Sequence, residues 1–340
     1  MPRHTGARVV IILGASSGIG RATAHALARR GDTLVLAARS VEGLAEVERE
    51  CLALAERAGH QPGPGEPRVL TVPTDVSHRD AVERLFTAAS ALYGRVDAVV
   101  HAPAVVAYGR FEEVPADVFD HVVAVDLTGT ANVAREALRH FRAGDGGHLV
   151  VVGSLLGKVV TPWMSSYVTS KWGVHGLVRT LQAEVRHVPG IEVSLVSPGG
   201  VDTPIYAQAA SYARREGRPP PPVDRPEKVA RAIVRLLGRP RRETSVGPAN
   251  HLYTFGFRFV PGVFDVIVAP VMSRFGLSGT PSPEPHTGNV FAPLPLGESV
   301  HGKWGRHWQR WVVFAGSVAG TAATVAGVRR AARGSGSGGL

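Results

Sequence analysis

Tyr167 and Lys171 stand four residues apart in Ser165-Ser166-Tyr167-Val168-Thr169-Ser170-Lys171, and Ser154 precedes the tyrosine by thirteen positions, at the end of a very apolar run. On a helix a spacing of four puts the phenol and the ammonium on one face. A free phenol, with a pKa of about 10, is a poor base at neutral pH. A neighbouring ammonium favours the phenolate. Lowering the phenol by roughly three units takes about 4 kcal/mol, which close positive charges in a dry cleft can supply. Such a tyrosine can exchange a proton with a substrate oxygen, and a serine beside it can hydrogen-bond the same oxygen. Alone, a Tyr-x-x-x-Lys pair also suits a snorkelling surface pair, so its weight depends on its company.

That company includes an anion site. Gly14-Ala15-Ser16-Ser17-Gly18-Ile19-Gly20 follows the apolar run Val9-Val10-Ile11-Ile12-Leu13. A strand, a glycine turn and a helix start place unpaired N–H groups and the positive end of a dipole at one point. The glycine spacing is Gly-x-x-x-Gly-x-Gly rather than the Gly-x-Gly-x-x-Gly of other dinucleotide folds.

These residues need a scaffold. The runs at 9–13, 34–37, 69–72, 96–101, 148–153 and 192–196 read as strands, with another near Ser245-Val246. Helical patterns lie between them at 18–30, from the Ser40 cap to about 58, and at 79–93, 117–141, 165–187 and 225–237. Continuous β-branched strands alternating with helices predict a parallel sheet covered on both faces. The stretch 59–67 reads as a surface loop. Residues 200–224, with Pro219 to Pro222, break the rhythm. Cys51 falls on an apolar stripe with Leu44, Val47 and Leu54, and is expected to be a buried thiol.

The glycine turn, Ser154 and Tyr167-x-x-x-Lys171, in this order, resemble the short-chain dehydrogenase/reductase family. The resemblance implies an α/β, Rossmann-type, doubly wound parallel sheet of about seven strands. It implies Ser154, Tyr167 and Lys171 as catalytic residues, the last two also touching the cofactor. It places Gly14, Ser16, Ser17, Gly18, Ile19 and Gly20 around a dinucleotide, with Asp75 beside the adenine. It also sets Pro198, Gly199 and Thr203, in Ser197-Pro198-Gly199-Gly200-Val201-Asp202-Thr203, at the nicotinamide end. The second strand ends Ala38-Arg39-Ser40. An acidic residue there would grip ribose hydroxyls, whereas an arginine forks onto a 2′-phosphate, so Arg39 points to NADP(H).

Two segments depart from the family pattern. His101-Ala102-Pro103-Ala104 stands where the family has Asn-Asn-Ala-Gly, and Asp126 stands where it has a fourth catalytic residue, an asparagine. The backbone role of that residue can survive the change, while a carboxylate near Lys171 would retune Tyr167.

The substrate end, with Leu155, Leu156, Pro162, Trp163, Met164, Ile205, Tyr206 and Tyr212, is largely apolar, and Arg214 and Arg215 are expected in solvent. Val174, Leu177, Val178 and Leu181 suit either a dimer contact or a core face. The chain has 340 residues, a formal net charge of +10, 44% hydrophobic residues and one cysteine. An ordinary hydrophobic fraction excludes disorder as the default, and a single cysteine excludes an internal disulfide framework. No zinc-like Cys/His spacing and no RNA-binding motif accompany the charge, so neither a metal nor nucleic acid is expected. The start, Met1 to Ala7, carries no apolar run of signal-peptide length, and a cytoplasmic location is expected.

The domains expected are 1–250, the catalytic unit; 251–298, an apolar then Pro/Gly-rich extension with a linker-like run at 278–295; and 299–340, basic. After Glu298 no acidic residue occurs, while Trp304, Trp308 and Trp311 precede the uncharged run Val312–Val328. That pattern suits an anionic membrane surface, a helix packed at a subunit interface, or a disordered tail. The expected reaction is hydride transfer between NADP(H) and a lipophilic ketone, aldehyde or secondary alcohol, with Tyr167 as general acid/base, in a homodimer or homotetramer. The alternative is a catalytically impaired nucleotide-binding scaffold or redox sensor.

Overall fold

The computed structural model describes residues 7–60, 67–281, 284–294 and 298–305. The run Val312–Val328, its flanking Trp308 and Trp311 and most of the 59–67 loop lie outside the described residues.

Seven parallel strands form the central sheet: β1 (Val9–Leu13), β2 (Thr33–Ala38), β3 (Val69–Pro73), β4 (Ala98–His101), β5 (Gly147–Val152), β6 (Ile191–Pro198) and β7 (Glu243–Val246), in the order β7-β6-β5-β4-β1-β2-β3. The order reverses between β1 and β4, and β1 is paired through Leu13 with Ala37 on one side and His101 on the other. An open parallel sheet opens its crevice beyond the carboxyl ends of its strands at such a reversal.

Both faces of the sheet are covered. Val9, Ile11 and Leu13 point into one core with α3 (Arg79–Tyr93), α4 (Ala116–Val123), α5 (Gly129–Ala143) and α6 (Ser165–Glu184). Val10 and Ile12 point into the other, with α1 (Gly18–Ala28), α2 (Val41–Arg57) and α7 (Pro226–Gly238). A strand's period of two thus feeds both layers, which is why β1 is apolar throughout. Each fully buried Ile or Leu contributes roughly 1.5–3 kcal/mol. Cys51 is buried within the second core, and burial pushes its thiol up to about 12.

Ser40 caps α2 by accepting from the Gly43 amide at 3.0 Å. The helix expected over 117–141 is broken in character: a π turn, Ala124–Thr128, joins α4 to α5. Such turns re-aim side chains and recur at functional sites; this one carries Asp126, fully buried. Beyond β7 the chain forms α8 (Asn250–Phe259) and α9 (Pro261–Val271), then a strand, β8 (Leu277–Pro281), paired antiparallel with Arg215–Gly217. Among the described residues no helix is long and apolar enough to cross a membrane.

Candidate active site

The turn after β1 is set by its neighbours. Gly14 has φ +74°, and a Cβ there would lie 2.8 Å from the Pro103 amide nitrogen. The unusual His101–Ala104 segment therefore passes directly behind the glycine turn. Gly20 does not reach the cleft, because it abuts the Gly14 carbonyl, where a side chain would collide. Ser17 is the N-cap of α1, yet its hydroxyl makes no capping bond. Gly14, Ser16, Ser17, Gly18 and Ile19 all line one cleft, which continues to Ser154, Tyr167 and Lys171.

Ser154 follows β5, and its Oγ accepts from the Leu156 amide at 3.1 Å. Tyr167 and Lys171 sit on the first turns of α6, with Lys171 Nζ 5.3 Å from the tyrosine ring centre. Asp126 lies behind the cleft wall rather than on it. Its Oδ1 accepts from the Val105 amide at 2.9 Å, and its Oδ2 lies 3.7 Å from Lys171 Nζ. Burial raises the Asp126 carboxyl to about 6, against the pull of Lys171 and the Val105 amide. Burial also pushes the Tyr167 phenol up; the Asp126 charge adds to this, and a hydrogen bond with Ser154 opposes it.

Behind this group, the Thr130 hydroxyl donates to the Asp126 carbonyl at 2.6 Å and lies 3.0 Å from His101 Nε2. With its proton committed, Thr130 can only accept from His101, which fixes the tautomer. Burial and Lys171 depress the imidazole to about 3.

At the far end of the cleft stand Arg39 and Asp75. Burial opposes ionisation of Asp75, but hydrogen bonds from Ser77 and the nearby Arg39 prevail and hold its carboxyl below the usual range. Its Oδ1 accepts from both the amide and the hydroxyl of Ser77, so it serves a local turn as well as the cleft wall. Pro198, Gly199 and Thr203 line the opposite side.

Sequence patterns gave no sign of the rest of this wall. Asn289, Pro293, Leu294 and Glu298 also line the cleft. Arg39 donates to the carbonyls of Asn289 at 2.7 Å and Val290 at 3.0 Å. The linker-like run is thus partly a packed segment: Val290 is fully buried, and the Asn289 amide bonds the Gln208 carbonyl. Composition hid this, since irregular backbone meets its hydrogen-bond needs without periodicity.

Of the two placements open to them, Val174 and Val178 take the core face, fully buried behind α6. One further expectation is corrected. Arg214 is exposed, but Arg215 is partly buried and donates to the carbonyls of Ser278 and Leu277. Beside the cleft, Leu156, Trp163, Ile205 and Tyr206, expected at the substrate end, pack with Tyr167 around Met164, Val168 and Met272.

A seven-stranded doubly wound sheet, with a glycine turn after its first strand and a serine, tyrosine and lysine on the same edge, is a Rossmann-type oxidoreductase architecture. The chain belongs to the short chain dehydrogenase family, whose description matches residues 8–213. It is 38% identical over 234 residues to cis-4-hydroxycyclohexanecarboxylate dehydrogenase of Sinomonas cyclohexanicum, covering 67% of this chain and 88% of that one. An alcohol dehydrogenase from the archaeon Thermococcus sibiricus, complexed with 5-hydroxy-NADP, superposes with a TM-score of 0.61 at 30% identity, covering 71% of this chain and 96% of that one. A short chain dehydrogenase/reductase from Burkholderia phymatum in complex with NAD gives 0.63 at 26% identity, with coverage of 73% and 92%. The protein is thus an oxidoreductase of a family that binds nicotinamide cofactors.

Proposed function

We propose that the protein transfers a hydride between NADP(H) and a lipophilic ketone, aldehyde or secondary alcohol, with Tyr167 as general acid/base. The observation that carries this reading is one continuous cleft. The glycine turn and Arg39 lie at one end, and Ser154, Tyr167 and Lys171 meet at the other. The Ser17 hydroxyl, which caps nothing, and the N-terminus of α1 fit a pyrophosphate.

In this reading Arg39 takes a 2′-phosphate, Asp75 and the glycine turn hold the adenosine side, and Pro198, Gly199 and Thr203 hold the nicotinamide end. The bound nicotinamide supplies or accepts the hydride. Ser154 orients the substrate oxygen by a hydrogen bond, and Tyr167 holds or takes the proton at that oxygen. Lys171 favours the phenolate by its charge. The packed apolar groups Leu156, Trp163, Ile205 and Tyr206 exclude water and suit a lipophilic substrate. The Sinomonas relative is named for a secondary alcohol on a ring, which supports the alcohol–ketone pair.

One observation favours a second reading, a catalytically impaired nucleotide-binding scaffold or redox sensor: the buried Asp126 carboxylate beside Lys171 opposes the phenolate. A panel of cyclic and linear ketones and alcohols, run with both cofactors, separates the two. Turnover that Tyr167→Phe reduces by about 10²–10⁴-fold, with nucleotide binding kept, supports the enzyme. Turnover unchanged in Tyr167→Phe overturns the mechanism.

The proposal includes a catalytic unit over 1–250, an extension over 251–298 and a basic segment over 299–340, within a cytoplasmic homodimer or homotetramer. Association of the basic segment with an anionic membrane surface is part of it. The exposed Leu252, Phe255, Phe259, Val263 and Val266 of α8 and α9 would add apolar contact there. Co-sedimentation of the full chain with anionic but not neutral vesicles tests this.

A further inference from the structure

Two acceptor oxygens of the chain's own 298–305 segment bond the starts of the helices that border the cleft. The Ser299 carbonyl accepts from the Gly18 amide at 2.8 Å, at the first turn of α1. The Glu298 carboxylate accepts from the Ser40 hydroxyl at 2.7 Å, at the start of α2. That carboxylate lies over Gly43, where any Cβ would collide with it. The N-termini of α1 and α2 are both positive poles. In the reading above the first receives the pyrophosphate, and Arg39, just before the second, receives the 2′-phosphate.

The segment is held at several points. Arg21, buried and paired with Glu46 and Glu50, donates to the Glu298 carbonyl at 2.7 Å. The amides of Gly302 and Trp304 bond the carbonyl and the carboxylate of Asp202 at 3.2 and 3.1 Å. His301 pairs with Glu227 at 2.7 Å. Arg39, the residue expected to fork onto a phosphate, is turned onto the Asn289 and Val290 carbonyls. An anionic side chain and a carbonyl oxygen thus engage Ser40 and Gly18, and Arg39 is engaged by two carbonyls, the groups to which the reading above assigns the phosphates.

We propose that Glu298 is a determinant of dinucleotide choice: its carboxylate holds the anion position at the head of α2, so a 2′-phosphate binds only by displacing the 298–304 segment. This rests on the NADP(H) reading. Two phosphate oxygens cannot share the Ser40 hydroxyl and the α2 pole with a carboxylate without like-charge repulsion. A nucleotide lacking the 2′-phosphate presents no charge to Glu298 at that point. The segment therefore acts against NADP(H) more than against NAD(H), and its withdrawal frees Arg39 as well.

The test compares binding of 2′,5′-ADP and 5′-AMP to the full chain, by calorimetry, in the unaltered protein, Glu298→Ala, Glu298→Gln and Arg39→Ala. Glu298→Ala should tighten 2′,5′-ADP by about tenfold, one charge-assisted contact's worth, and leave 5′-AMP nearly unchanged. Glu298→Gln, which keeps the Ser40 contact without the charge, should fall between. In the unaltered protein, saturating 2′,5′-ADP should speed hydrogen exchange at the Gly302 and Trp304 amides, and 5′-AMP should do so less. Should 2′,5′-ADP be preferred, that preference vanish in Arg39→Ala and Glu298→Ala change nothing, the NADP(H) reading stands and this proposal falls alone. Weaker 2′,5′-ADP binding in Glu298→Ala overturns it too, since Glu298 would then be helping the phosphate. A failure of every variant, and of the unaltered protein, to prefer 2′,5′-ADP over 5′-AMP removes the NADP(H) reading and the proposal with it.

Discussion

Lys171 Nζ stands 3.7 Å from Asp126 Oδ2, and both side chains are buried, at 3% and 0% exposure. A lysine in this position is expected to spend its charge on the phenol of Tyr167. Here it shares that charge with a carboxylate delivered by the π turn between α4 and α5. Burial resists ionisation of both Asp126 and Tyr167. The charge of Asp126 adds to the burial that holds the Tyr167 phenol up.

Asp126→Asn should move the acid limb of the turnover–pH profile down by about one to two units, the effect of removing one nearby charge at intermediate dielectric. The amide oxygen can still accept from Val105. The sign follows from the charge, because an ionised Asp126 opposes the Tyr167 phenolate. With its carboxyl at about 6, Asp126 is neutral below that pH and ionised above it. The difference between the two proteins should therefore be large above pH 6 and fade below it. Superimposed profiles across the range would show that the Asp126 charge does not reach the phenol.

Lys171→Met leaves Asp126 buried without its ion pair. Breaking a buried pair in this way costs about 3–5 kcal/mol. A carboxyl raised in the folded state contributes stability that is present at low pH and lost as pH rises through its folded value. The destabilisation measured by denaturant should therefore be greater at pH 8 than at pH 5. The double variant Lys171→Met, Asp126→Asn should recover part of it at pH 8. Equal losses at both pH values, with no recovery, would mean that the pair is not coupled.

The sheet was legible because β1 through β6 are apolar runs with strong helical patterns between them, and a parallel strand buried on both faces leaves that trace. The gathering of Ser154, Tyr167 and Lys171 on one cleft was legible because they occur at fixed distances from strand and helix starts. The π turn at 124–128 was not, since one added residue in a helix shifts the register without breaking the periodicity. Val174 and Val178 looked equally suited to a core or an interface, because both demand the same apolar face. The packing of Asn289, Val290, Glu298 and Ser299 on the cleft was invisible for another reason. Their contacts run largely through backbone carbonyls and reach residues some 250 positions or more away, and composition records neither.

Arg39→Ala should weaken NADP(H) by about 1.5–3 kcal/mol, the range for hydrogen bonds to charged groups, and change NAD(H) little. Ala38→Asp should turn preference toward NAD(H), because a carboxylate at the end of β2 grips ribose hydroxyls and repels a phosphate. Equilibrium titration of both nucleotides reads the two effects. Tighter NAD(H) than NADP(H) in the unaltered protein, together with no effect of Arg39→Ala, would assign Arg39 to holding the 289–290 carbonyls alone.

His101 and His148 form parallel chains. His101 Nε2 faces the Thr130 hydroxyl, which donates to the Asp126 carbonyl, and His148 Nε2 faces the Ser194 hydroxyl at 2.8 Å, which donates to the Arg241 carbonyl. In both, Nε2 must donate, and the buried Nδ1 has no hydrogen-bond partner among the described residues. Protonation would place an unpaired N–H and a charge in the core. Burial accordingly depresses His101 to about 3, with help from Lys171, and His148 to about 4, with help from Arg8. Both folded values lie below the ordinary value of about 6.5. The stability these groups provide is thus fully present above pH 6.5 and is lost as pH falls toward 4 and then 3, by several kcal/mol in all. His148→Gln and His101→Gln keep a donor and remove the titration. Denaturant midpoints from pH 7 to pH 4 should fall less steeply in each variant than in the unaltered protein, and least in the double variant. Parallel slopes in all four would show that acid unfolding is driven by other groups.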